Sequence, residues 1–206
     1  MRLYFVRHGE SEANTLRVIS NRGSQYGLTA LGKQQAVMLA ERLKDIPITA
    51  LFTSPILRAR ETAEILSRSF HLPYQITEAL REYDCGLLEE KSDEISWKLH
   101  SEIANDWTLN NNHSRKPEGG ESFLEIQKRF IPFIESFTQN GSHEEHHILF
   151  VSHGGLLQLM LPEILTNIDH NFVRTSGIGH TQCIIVEQRL EGLLCLQWGN
   201  VNLDDM

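Results

Sequence analysis

The stretch LYFVRHGESEAN, residues 3–14, decides how the rest of the chain is read. Leu3 to Val6 are four consecutive apolar residues, the pattern of a short buried strand, and they run directly into Arg7-His8-Gly9-Glu10. In open α/β sheets the crevice at the carboxyl ends of the strands is where ligands bind. A cation and an imidazole at that point are therefore placed for chemistry, and the glycine lets backbone N–H groups approach a ligand closely.

The arrangement recurs near the other end of the chain. Ile148-Leu149-Phe150-Val151 predicts a strongly apolar strand that runs into Ser152-His153-Gly154-Gly155, and an apolar helix follows from about Leu156. The partly positive N-terminus of that helix adds to the attraction for an anion. Between the two histidines, residues 29–45 predict a helix with Ala36, Leu39, Ala40 and Leu43 on one face. Ala50 to Thr53 predict a second strand, and Ser54-Pro55 reads as an N-cap and first-turn pair. The helix so opened carries Ile56, Ala59, Ala63, Leu66 and Phe70 on one stripe, with Arg58 near its start. Arg7, Arg58 and His153 then converge at one end of the sheet. At about 4 Å and an effective dielectric near 20, each such unit-charge contact with an anion is worth roughly 4 kcal/mol before desolvation. A small metabolite compensates that much charge only as a phosphate or similar oxyanion, whose oxygens match the guanidinium fork.

The remaining elements complete the fold class. Residues 74–77 predict a third strand and residues 89–107 an amphipathic helix, with Glu89, Glu90, Asp93 and Glu94 as its solvated acidic start. Residues 110–120 read as a loop. Ser122 and Glu125 form a capping box for a helix with Phe123, Ile126, Phe130, Ile134 and Phe137 inward, kinked at Pro132. Residues 181–187 and 193–198 predict two final strands. Strands alternating with helices predict a three-layer α/β/α sandwich around a mainly parallel sheet. No linker divides the 206 residues, so one domain over 1–206 is expected.

Composition narrows the function classes. A net charge of −8 argues against nucleic acid or anionic membranes as partners, so positive charge for an anion must be concentrated locally. Apolar stretches fall short of membrane-spanning length, and a strand starting at Arg2 leaves no room for a signal peptide, so a cytoplasmic location is expected. Cys85, Cys183 and Cys195 have no metal-ligand spacing and read as ordinary thiols, the last two buried. His71, His100, His113, His143, His146, His147 and His170 lie in polar or loop-like stretches and read as surface residues. His180, just before a strand, reads either as surface or as a residue at the rim of the site. Asn112-His113-Ser114 fits a glycosylation acceptor only by chance in a cytoplasmic chain.

Taken in order, Arg7-His8-Gly9-Glu10, Asn14, Leu28-Thr29-Ala30-Leu31-Gly32, the run Ser54 to Ala63, Gly120-Glu121-Ser122 with Arg129, and Ser152-His153-Gly154-Gly155 resemble the histidine phosphatase superfamily, the phosphoglycerate mutase-like group. The resemblance implies that His8 attacks phosphorus and carries the phosphoryl group. It also implies that Arg7, Arg58 and His153 hold the non-bridging oxygens, Asn14 adds an amide hydrogen bond, and Gly154 belongs to the binding loop. Two arginines beside His8 lower its pKa and keep it unprotonated. Glu82, in Ala79 to Gly86, matches the family's proton donor to the leaving oxygen, with Asp84 and Glu10 as runners-up. No metal or other cofactor is implied, because arginines supply the charge.

A metal-independent phosphatase acting on small phosphorylated metabolites is the leading expectation. A phosphoglycerate mutase and a catalytically silent phosphate-binding protein are the alternatives. Against the mutase, Glu82-Tyr83-Asp84-Cys85-Gly86 stands where mutases carry Glu-Arg-His-Tyr-Gly, and the shorter segment after it offers only Arg115-Lys116 to grip a carboxylate. Against the silent protein, nucleophile, acid and phosphate clamp are all present. Two departures stand out: Glu90 replaces a glycine of many relatives, which bears on the path of the loop carrying Glu82, and Ala13 replaces a tryptophan. Substrate walls are expected from residues 17–26 and from 84–118, the latter a substrate-covering insertion. The sequence leaves the substrate and the oligomeric state open.

Overall fold

A computed structural model describes residues 1–23, 25–138 and 146–204. In chain order the elements are β1 (Arg2–Arg7), α1 (Glu12–Leu16), α2 (Ala30–Leu43), β2 (Ala50–Thr53), α3 (Leu57–Phe70), β3 (Tyr74–Ile76), α4 (Glu94–Thr108), α5 (Phe123–Thr138), β4 (His147–Ser152), α6 (Gly154–Met160), α7 (His170–Ser176), β5 (Cys183–Arg189), β6 (Gly192–Trp198) and β7 (Val201–Asn202). The strands lie in the order β3-β2-β4-β1-β5-β6-β7. The first four are mutually parallel, so their carboxyl ends open on the same side. β5, β6 and β7 extend the sheet antiparallel, and parallel character is confined to the half that carries the histidines. The reason is the connection: only Leu190 and Glu191 separate β5 from β6, a hairpin that permits no parallel pairing.

β1 explains the three layers. Leu3 and Phe5 point into one core with α4, α5, α6 and α7, while Tyr4 and Val6 point into a second core with α2 and α3. A strand buried on both faces has no polar side, hence the unbroken apolar run. α2 buries Ala36, Leu39, Ala40 and Leu43 as its periodicity predicts, and Thr29 caps it by accepting from Gly32 N–H at 3.0 Å. The capping box of α5 is formed: Ser122 N–H donates to Glu125 Oε2 at 2.7 Å, and Glu125 N–H donates to Ser122 Oγ at 3.3 Å. Pro132 sits inside α5 without ending it.

Three expectations are corrected. Ser54 is not the cap of α3; the helix starts at Leu57, the extended Ile56 holds the cap position, and the Ser54 hydroxyl accepts from Ile56 N–H ahead of the helix. α4 begins at Glu94 with Asp93 as its cap, accepting from Ser96 N–H at 3.0 Å, and not at 89. Glu90 has φ +64°, which a right-handed helix does not accommodate, and its N–H donates to Ile19 O at 2.8 Å. Glu90 thus takes the left-handed conformation that the glycine of relatives adopts easily, at a cost of about 1–2 kcal/mol. Its carboxylate accepts from Gln25 and Tyr26, and that of Glu89 accepts from the N–H groups of Asn21 and Arg22. The two acids strap the 84–90 segment to the segment around residue 22. α1, α7 and β7 were not legible, being five, seven and two residues long, too short to display a period. Of the histidines, His143 lies outside the described residues.

Candidate active site

β1, β4 and β2 are neighbours in the sheet, so the residues that leave their carboxyl ends share one crevice. His8 follows β1, His153 follows β4, and Ser54 to Arg58 follow β2. Both histidines are buried, with ring centroids 5.1 Å apart. The loop after His8 is fixed from below: Gly9 N–H donates to Thr62 Oγ1 at 3.2 Å, and Thr62 in turn donates to Arg58 O at 2.8 Å. Gly9 and Gly32 lie so close that a side chain at either meets backbone of the other segment, which accounts for both glycines.

The hydrogen bonds dictate the tautomer of His8. Its Nδ1 lies 2.7 Å from Gly9 O, which only accepts, and its Nε2 lies 2.9 Å from Arg58 Nε, which only donates. Nδ1 therefore carries the proton, and the Nε2 lone pair accepts from Arg58 Nε–H. The ring is held neutral well below the ordinary 6.5, first by burial, then by Arg58 and Arg7. Burial outweighs the neighbouring arginines as the cause.

Three neighbouring residues keep buried nitrogens without partners. Among the described residues, Arg7 Nε, Arg58 Nη1 and His153 Nδ1 are the buried side-chain nitrogens or oxygens that make no hydrogen bond. Buried polar groups are nearly always paired, and each orphan costs about 1–3 kcal/mol, more when charged. Ser54 Oγ accepts from Ile56 N–H at 3.2 Å and lies 2.7 Å from His153 Nε2, and His153 Nδ1 is left without a partner. Arg7 is aimed by Nη1 donating to Ile178 O at 2.8 Å and by the close approach of Gly154, where a Cβ would meet Arg7 Nε at 3.2 Å. Gly154 is thus a seat for Arg7. Arg58 is lowered to about 10 by burial and stays charged at neutral pH.

Glu82 enters the same crevice from the segment after β3. Its Oε1 accepts from Tyr83 N–H at 3.1 Å and its Oε2 from Gly155 N–H at 2.9 Å. Burial raises its pKa above the ordinary 4.5, against the pull of those two hydrogen bonds and of Arg58. Behind it, Arg129 forks onto Glu121 and also donates to the carbonyls of Glu78 and Ala79, while Glu121 accepts from Asp84 N–H at 2.8 Å. That network ties the acid-bearing segment to α5. The runners-up are occupied elsewhere: Asp84 binds Arg22 and Gly86 N–H, and Glu10 accepts from Thr29.

Asn14 Oδ1 accepts from Ser11 N–H, Ser11 Oγ and His180 Nε2, leaving its amide NH2 to face the crevice. His180 belongs to the rim, 6.0 Å from the His8 ring, and is neutral with a pKa of about 4 because of burial and then Arg7.

From this cluster a cavity of about 410 Å³ extends outward between residues 13–21, α4 and the α6–α7 region. Its outer wall includes Trp97, His100, Leu159 and Val173. Expectation fails for His100 and His170. His100 is stacked on Tyr83, bonded to its hydroxyl at 2.7 Å, and pushed to about 4 by burial; His170 lines the cavity and pairs with Glu163. His147, also read as surface, lies in β4 and bonds Tyr4 Oη at 2.9 Å. Cys85 is buried with the other two thiols. Arg115 and Lys116 do not line the cavity; they pair with Asp106 and Glu125. Ser54, Thr62 and Tyr83 carry site contacts that the sequence did not reveal, because a hydroxyl's partner is set by distant packing.

Comparison with known proteins shows the family and the fold. The "Probable phosphoglycerate mutase GpmB" of Escherichia fergusonii is 33% identical over 173 residues, 80% of this chain and 75% of that protein. The solved structure of Bacillus stearothermophilus YhfR is 29% identical, with a TM-score of 0.80 and 98% of each chain covered. The mycobacterial glucosyl-3-phosphoglycerate phosphatase Rv2419c with VO3 shares the fold at 22% identity, with a TM-score of 0.82 covering 97% of this chain and 99% of that one. No helix among the described residues is long and apolar enough to cross a membrane. The profile of the histidine phosphatase superfamily (branch 1) matches residues 3–201, and with the two strand-end histidines in one crevice the chain belongs to that superfamily.

Proposed function

We propose that the protein is a metal-independent phosphatase that hydrolyses small phosphomonoesters through a phosphohistidine on His8. The observation that supports this reading is that the residues flanking His8, namely Arg7, Arg58 and His153, each keep a buried nitrogen without a partner: Nε, Nη1 and Nδ1. A dianionic phosphoryl group satisfies all of them at once. Their preorganisation stabilises the charge that develops on its non-bridging oxygens.

In the first step Arg58 Nε–H turns from His8 Nε2 to a phosphoryl oxygen, and Nε2 attacks phosphorus. The bond from phosphorus to the ester oxygen breaks, and Glu82, whose hold on its proton burial strengthens, gives that oxygen its proton. The alcohol leaves. In the second step the Glu82 carboxylate takes a proton from water, the oxygen of that water attacks phosphorus, and inorganic phosphate departs with His8 regenerated. Arg7, Arg58, His153 and the Asn14 amide hold the oxygens throughout, and Gly154 seats Arg7. Residues 84–118 cover the substrate, and the chain works as one unit in the cytoplasm.

The test is hydrolysis of p-nitrophenyl phosphate. Activity that survives EDTA and disappears in His8→Ala supports the proposal; loss in EDTA, or an active His8→Ala, overturns it. A mutase is the second reading, favoured by the GpmB relative at 33% identity. It predicts conversion of 3-phosphoglycerate to the 2-isomer without release of phosphate, whereas the phosphatase releases it.

A further inference from the structure

The catalytic cluster occupies only the inner end of the cavity, and the outer end has a different chemistry. Besides Arg7 and Arg58, Arg174 is the one other arginine or lysine in the cavity lining, and it is exposed in the last turn of α7. A pair formed there is screened and worth little. The histidines are engaged already: His170 pairs with Glu163, and His100, pushed down to about 4 by burial, is hydrogen-bonded to the Tyr83 hydroxyl. A carboxylate or second phosphate in the body of the cavity loses its hydration and gains no buried cation in exchange.

What the outer end does offer is flat and apolar surface. Tyr83 and His100 are stacked at 5.5 Å and 25°, and Trp97 meets the His100 ring edgewise at 5.2 Å. Val18, Leu159 and Val173 supply aliphatic walls. The aromatic surface is held in place before any ligand arrives. Trp97 Nε1–H donates to Arg17 O at 2.8 Å, which latches α4 to the end of α1, and the Tyr83 hydroxyl fixes His100. Rings ordered in advance bind a flat partner without a further entropic cost.

We infer that the alcohol part of the substrate is an uncharged, ring-bearing group that stacks on Trp97 and His100 while its phosphate reaches His8. Neutral polar substituents are accommodated: Gln158 donates its amide to Gly154 O and keeps its carbonyl oxygen free to accept. The inference rests on the phosphatase reading for the position of the phosphate, and it deepens that reading by naming the substrate class.

The test uses binding, which needs no turnover. Calorimetry at neutral pH compares 1-naphthylphosphonate, methylphosphonate and 3-phosphoglycerate on the intact protein. We expect 1-naphthylphosphonate to bind at least about tenfold more tightly than either of the others, as burial of a ring implies. Trp97→Ala removes most of that preference, Trp97→Phe retains most of it, and Lys98→Ala, at an exposed position of the same helix, retains all of it. Equal binding of the two phosphonates, tighter binding of 3-phosphoglycerate, or equal weakening of every ligand by Trp97→Ala overturns the inference. A ring preference without hydrolysis would overturn the proposed chemistry alone; hydrolysis without a ring preference would overturn this inference alone.

Discussion

The two ends of one cavity differ in almost every physical respect. At the inner end, His8, His153, Arg7 and Arg58 are held by short hydrogen bonds, and three of them keep a buried nitrogen without a partner. At the outer end, Trp97, His100, Leu159 and Val173 present neutral surface contributed by α4, α6 and α7. The difference teaches how a fold separates reaction from selection. The inner residues sit on three adjacent strand ends and cannot move without disturbing the sheet. The outer ones sit on helices packed beside the sheet.

The comparison breaks most visibly at its inner end. His8→Ala removes the nucleophile, and hydrolysis of p-nitrophenyl phosphate is expected to fall by about four orders of magnitude or more. Arg58→Ala leaves His8 in place but takes away both its partner and a phosphate donor; a loss of about 10²–10³ in kcat/KM is expected, as for a missing oxyanion donor. Glu82→Gln is expected to lower kcat by about 10²–10⁴ for alkyl phosphates and by less for p-nitrophenyl phosphate, whose leaving group needs no proton. The pH profile sharpens that prediction. Activity requires His8 neutral and Glu82 protonated, so the rate is expected to fall on the acid side as His8, depressed by burial, takes up a proton, and on the alkaline side as Glu82, raised by burial, loses its own. Glu82→Gln abolishes the alkaline limb alone.

A smaller effect probes how the acid is positioned. A Cβ at Gly155 would meet Tyr83 Cε1 at 2.7 Å and Glu82 Oε2 at 2.8 Å. Gly155→Ala is therefore expected to destabilise the protein by about 1–3 kcal/mol, read by urea denaturation, and to shift the alkaline limb by disturbing Glu82. The mildest effect is on stability against pH. His8, His153, His100 and His180 all have pKa values depressed chiefly by burial, the last two to about 4. The unfolded chain takes up their protons from about pH 6.5 downward while the folded one does not, so stability falls as pH drops through that window. Glu82, raised above 4.5, works in the opposite direction, one group against four. Thermal denaturation between pH 7 and 4.5 checks the sign. Inorganic phosphate is expected to raise the transition temperature by pairing the orphaned donors.

How much of this was legible follows the same division. β1 and β4 announce themselves as apolar runs because both of their faces are buried, and the histidines follow in sequence directly. Arg58 is legible because a short strand and a helix start fix its place relative to the sheet. Ser54 was misread as a helix cap because the chain stays extended through Ile56 before α3 begins, and its contact with His153, ninety-nine residues away, has no local sign. His100 was read as a surface residue because α4 is exposed along most of its length; only packing against Tyr83 buries that one ring. Glu89 and Glu90 looked like a helix start, and only the three-dimensional approach of residues 21–26 makes them a strap. Short-range order was in the pattern; partners far along the chain were not.

The central claim is covalent. The protein is mixed with a radiolabelled phosphomonoester, quenched in denaturant during turnover, digested and sequenced. The account predicts label on His8, stable to alkali and released by acid, and absent from His8→Ala. Label on another side chain, or turnover with no labelled protein at any quench time, would contradict it.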